Sequence, residues 1–116
     1  MSFEIWHNPR CSKSRATLKL LQENGVEPTV RLYLEDAPSS AEIEAVLSEL
    51  GIPAIGLVRT GETEFRASGL TKDSPAADLI SAMVSMPKLI ERPIVISNGK
   101  ARIGRPPEAV LDLLQS

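Results

Sequence analysis

Cysteine is almost absent from this chain: Cys11 is the one cysteine among 116 residues, and His7 is the one histidine. A lone cysteine closes no internal disulfide, and one Cys with one His does not complete a set of metal ligands, so no metal site is expected. A large charge of either sign is also missing. Thirteen Lys and Arg against fifteen Asp and Glu leave a net charge of −2, without the basic excess that neutralises phosphates, and no nucleic-acid partner is expected. No apolar stretch reaches the length of a membrane helix. The opening Met1-Ser2-Phe3-Glu4-Ile5-Trp6 enters strand-like alternation with no basic flank and apolar run, so neither a membrane nor a signal peptide is expected. A reducing cytoplasm is the simplest location for such a composition. Gly-rich phosphate loops, nucleotide fingerprints, Ser-His-Asp arrangements, internal repeats and linkers are not apparent.

What is present is an ordinary globular balance, 24% charged and 42% hydrophobic, in a length that fits one domain over residues 1–116. Phe3 to His7 alternates as a strand. Leu18, Leu20 and Leu21 cluster on one side of a helix over Ser14 to Asn24, which Asn24-Gly25 ends. Thr29 to Leu34 reads as a second strand around Val30, Leu32 and Leu34. A β-α-β opening of this length suits a right-handed crossover and a parallel pair.

The middle of the chain is helical. Ser39 and Glu42 form a capping box before the apolar face Ile43, Val46, Leu47 and Leu50, and Gly51 ends that helix. Ser74-Pro75 starts another, with Leu79, Ile80, Met83 and Val84 on one side and Pro87 beyond its end. Between them, Pro53 to Gly69 suggests short helical pieces. Asn98-Gly99, between Ile94-Val95-Ile96 and Ala101-Arg102-Ile103, signals a tight antiparallel hairpin. A last helix, near Pro106-Pro107-Glu108, would bury Val110, Leu111, Leu113 and Leu114. With a helical insertion over about 37–90 set aside, the order predicts an α/β thioredoxin-like fold. Its sheet would be mixed and four-stranded, with flanking helices and the insertion between the second and third strands.

Cys11 lies in His7-Asn8-Pro9-Arg10-Cys11-Ser12-Lys13-Ser14-Arg15, at a strand-to-helix turn. A thiol reacts as its thiolate, and a helix N-terminus and neighbouring cations favour the anion. The N-terminus contributes about 0.3–1 kcal/mol when exposed, and a charge-assisted hydrogen bond about 1.5–3 kcal/mol. Cys11-Ser12-Lys13-Ser14 has dithiol-motif spacing with serine at the second position. A mixed disulfide on Cys11 therefore needs an outside thiol to resolve it. Ser14 is placed to cap the helix or to donate to the sulfur.

Arg59, Arg92 and Arg105 carry planar donor forks suited to tetrahedral oxyanions. Taken singly, each is explained first as a solvated surface residue or a salt-bridge partner. Arg92-Pro93 enters the third strand, where thioredoxin-like folds carry a cis proline beside the active cysteine. His7 could act as a base or electrostatic partner, or simply end the first strand with a local hydrogen bond.

On the Cys11 segment, Gly25-Val26-Glu27-Pro28 to Leu32-Tyr33-Leu34-Glu35, Glu91-Arg92-Pro93-Ile94-Val95 and Gly104-Arg105-Pro106-Pro107-Glu108, the chain resembles the ArsC-type arsenate reductases, thioredoxin-fold relatives of Spx-like proteins. The resemblance implies Cys11 as nucleophile, with Arg59, Arg92 and Arg105 as oxyanion ligands. His7, Ser14, Arg15 and Pro93 would support them. It further implies a monomer without bound cofactor, in which glutathione is co-substrate and glutaredoxin the partner in reducing arsenate to arsenite. Two alternatives remain: a monothiol glutaredoxin-like transferase for glutathionylated or other anionic substrates, and a Spx-like binder of RNA polymerase. Ser14 stands where Spx relatives often carry their second, switching cysteine.

Overall fold

The computed structural model describes residues 2–115, with Gln115 described by its backbone alone. Four strands form a single mixed sheet: β1 (Phe3–Trp6), β2 (Thr29–Arg31), β3 (Ile94–Ser97) and β4 (Lys100–Ile103), in the spatial order β2-β1-β3-β4. β1 pairs parallel with β2, Ile5 opposite Val30, and antiparallel with β3, Ile5 opposite Val95. β3 and β4 form the expected hairpin. Its turn has Asn98 at φ 53° and Gly99 at φ 74°, the two positive φ values that a two-residue turn matched to strand twist requires.

Between β1 and β2 runs α1 (Ser12–Glu23). It begins two residues earlier than its leucine pattern suggests, and its buried row is Ser14, Thr17 and Leu21. Leu18 and Leu20 are only half-buried. Together with Phe3, Ile5, Val95, Val110 and Leu113, Leu21 makes one core cluster. The last helix is a 3₁₀ segment, Pro107–Gln115, and not the α-helix expected. A three-residue turn puts Val110 and Leu113 on one edge, and both are fully covered.

The second strand is shorter than the alternation suggests. After Arg31 the chain turns, with Glu35 N and Asp36 N both donating to Leu32 O at 2.9 and 2.8 Å. Val30, Leu32 and Leu34 are 44%, 37% and 45% exposed, while Tyr33 between them is buried. A period-2 pattern marks one face, but an edge strand ending in a turn leaves that face uncovered.

Residues Ala37–Glu91 form one compact unit, and the segments on either side of it form the other. The first contains α2 (Ser40–Leu50), α3 (Thr63–Ala67) and α4 (Ala76–Ser85), with 3₁₀ turns at Ala54–Leu57 and Pro87–Leu89. The Ser39–Glu42 capping box forms in both directions, and Gly51 closes α2 at φ 70°. Val58 and Ile90 make an antiparallel bridge, flanked by Arg59 N to Leu89 O (2.7 Å) and Glu91 N to Leu57 O (2.8 Å). Among the described residues, no helix is long and apolar enough to cross a membrane.

Candidate active site around Cys11

Cys11 occupies the N-cap of α1 with extended backbone (φ −95°, ψ 124°), and no side chain caps the helix. The capping alternative for Ser14 is therefore absent, and its hydroxyl has other partners. Ser14 Oγ accepts from Asn8 N at 3.0 Å and lies 2.6 Å from His7 Nδ1. Because Oγ already accepts from an amide, its own proton is free to point at Nδ1, which then acts as the acceptor of a neutral imidazole. His7 is buried, and its pKa is lowered first by desolvation and then by the Arg15 charge. Both effects favour that neutral ring.

The same loop is tied at every residue. Arg10 N donates to Asn8 Oδ1 (3.0 Å), Cys11 N to Asn8 O (3.0 Å) and Arg15 Nη1 to Pro9 O (2.9 Å). Arg15 thus clamps the loop's backbone from the first turn of α1. Such a net of local bonds fixes where the thiol sits.

Arg105 reaches this thiol. Its Nη2 lies 3.7 Å from Cys11 Sγ, and its Nε donates to Arg92 O at 2.8 Å. The Arg92–Pro93 and Arg105–Pro106 peptides are both cis, and Gly104 N donates to Pro93 O at 2.9 Å. Arg92 Nε and Nη1 are buried atoms. Cys11 keeps 8% of its surface exposed. Arg59 belongs to the other unit. There its Nη1 pairs with Glu62 Oε1 at 2.9 Å and its Nε with Glu91 Oε1 at 3.8 Å. Among the described residues, no group of three or more His, Cys, Asp or Glu side chains is placed to hold a metal ion.

A model of the ArsC family matches residues 6–113. The chain belongs to the ArsC family. It is 54% identical over 113 residues to YfgD of Escherichia coli K12, covering 96% of this chain and 95% of that protein. It is 44% identical over 116 residues to the arsenate reductase of Haemophilus influenzae, covering 98% and 100%. The solved arsenate reductase of Vibrio cholerae superposes with a TM-score of 0.93 at 46% identity, over 97% of each chain. The thioredoxin-like architecture is shared with these structures.

In this ArsC-family chain, two residues that position the site escape a reading by motif. A Cβ on Gly104 would lie 2.5 Å from Thr17 Oγ1 and 2.8 Å from Pro93 Cγ. Only glycine lets the end of β4 approach α1 and Pro93 closely enough to bring Arg105 to Cys11. Thr17 is fully buried, with Oγ1 donating to Lys13 O at 2.8 Å. A glycine next to Arg-Pro was the available signal, but its neighbours in space are 87 and 11 residues away in sequence. No motif marks Glu62 and Glu91, the carboxylates beside Arg59.

Proposed function

We propose that the protein reduces arsenate to arsenite through a Cys11 thiol–arsenate adduct, which glutathione and glutaredoxin resolve. The Cys11 sulfur displaces one oxygen of arsenate as water and bonds to arsenic. Glutathione brings the second thiol. Two electrons then pass to arsenic, taking As(V) to As(III), and the two sulfurs leave joined as a mixed disulfide. A glutaredoxin thiol reduces that disulfide, since this chain has no second cysteine to do so. Arg105, Arg92 and Arg59 hold the oxyanion, and the Arg105 guanidinium favours the negative charge that develops on it. His7, Ser14 and Arg15 keep the loop in place, and Pro93 packs under Gly104.

The observation that carries this reading is the Arg105 guanidinium at 3.7 Å from the one thiol, at the start of α1, in a chain of the ArsC family. The test offers arsenate and a small glutathione mixed disulfide side by side, with and without glutaredoxin, to wild type and Cys11→Ser. Arsenite is expected only when glutathione and glutaredoxin are both present, and Cys11→Ser forms none. Turnover of the mixed disulfide with arsenate untouched would select the monothiol transferase reading.

A further inference from the structure

Arg59 keeps unusual company for an anion ligand. The side chains of Arg59, Glu62 and Glu91 are each 27% exposed, and together with Val58, Thr60 and Gly61 these residues line a cavity of about 370 Å³. One cation, Arg59, faces two carboxylates, Glu62 and Glu91. Lys88, which interacts with Glu62 through charge, is itself paired with Glu64 at 2.9 Å. The arrangement is held by backbone. The Val58–Ile90 bridge sets Arg59 beside Glu91, and Glu62 N donates to Arg59 O at 3.2 Å across the turn. Glu62 accepts from Nη1 at 2.9 Å, and Glu91 lies in ion-pair range of Nε at 3.8 Å.

A site built only to attract oxyanions gains nothing from two carboxylates at its rim, because they repel the ligand. They help when the ligand carries a proton. An ionised carboxylate only accepts hydrogen bonds, so it can bind an X–OH group and cannot bind a bare X–O⁻. We propose that Glu62, with Glu91 behind it, makes the Arg59 site selective for protonated tetrahedral oxyanions. Arg59 donates to the charged oxygen and the carboxylate accepts from the hydroxyl. Arsenate at neutral pH retains at least one As–OH and is admitted. Sulfate has none and is rejected by an acceptor facing an acceptor. This inference rests on the reading of Arg59 as an oxyanion ligand.

The experiment measures arsenate and sulfate affinity by calorimetry in the Cys11→Ser background, where no adduct forms. It compares Arg59→Ala, Glu62→Gln and Glu91→Gln, each first checked for cooperative thermal unfolding. A glutamine amide donates as well as accepts, so Glu62→Gln is expected to narrow the arsenate-to-sulfate affinity ratio by about 10-fold or more. Glu91→Gln, the more distant partner, narrows it in the same direction by less. An unchanged ratio in both glutamine variants, with arsenate binding weakened by Arg59→Ala, overturns the inference and leaves the Arg59 reading standing. Arsenate affinity indifferent to Arg59→Ala overturns both.

Discussion

Arg105 and Arg59 carry the same guanidinium into opposite company. Arg105 meets a thiol and a backbone carbonyl, and reaches them because glycine, threonine and proline pack at contact distance beneath it. Arg59 meets two carboxylates, on a turn fixed by a single-residue bridge. In the Cys11 region position is set by close packing and by guanidinium hydrogen bonds to backbone carbonyls, which act at short range. Around Arg59 a backbone bridge sets the position and ion pairs add to it, screened with a Debye length of about 8 Å at physiological ionic strength. The same side chain thus faces the Cys11 thiol in one unit and two carboxylates in the other.

The hardest blow to this comparison is Gly104→Ala. The added methyl meets Thr17 and Pro93 at 2.5 and 2.8 Å, and overpacking of this kind costs about 1–3 kcal/mol. Thermal unfolding is expected to fall by about 4–8 °C for each kcal/mol, with no dependence on salt. A Tm unchanged in Gly104→Ala would mean that contact distance does not govern the Cys11 unit.

Next comes Arg105→Ala. Loss of one cationic neighbour of the sulfur is expected to slow alkylation of Cys11 by iodoacetamide about 10-fold at pH 7, the equivalent of about 1.4 kcal/mol. Arg105→Lys should recover part of that rate. Equal alkylation rates in wild type and Arg105→Ala would detach the guanidinium from the chemistry.

The smallest effect concerns His7, whose pKa lies below its usual 6.5 because it is buried and faces Arg15. The folded state therefore binds fewer protons than the unfolded state in this range, and stability rises with pH. Its contribution is complete above pH 6.5 and falls as the pH drops below that value. Protonation also removes the Nδ1 acceptor that faces Ser14. Urea midpoints between pH 7.5 and 5 should show this slope in wild type and lose it in His7→Gln. A slope that persists in His7→Gln would move the effect to other groups.

Much of the architecture was readable along the chain because it depends on neighbours in sequence. Asn98-Gly99 makes its turn through two positive φ values, and Ser39 with Glu42 caps α2 reciprocally. Cys11 falls at the start of α1 because Asn8 and Pro9 turn the chain immediately before it. The misreadings share a cause. Ser14 looks like a cap locally, but the buried His7 ring claims its hydroxyl. Val30, Leu32 and Leu34 alternate like core residues, yet β2 lies at the sheet's edge and the chain turns away after Arg31.

Sequence by itself determined the order of elements, the turn and cap chemistry, and the single thiol at a helix start. Those follow from backbone preferences and hydrogen bonds spanning a few residues. The tertiary structure alone decided that Arg105 reaches Cys11 across 94 positions, that Gly104 admits no Cβ, and that Arg59 stands between two carboxylates. These depend on which segments the sheet and the Val58–Ile90 bridge bring side by side, a long-range pairing that no local pattern encodes.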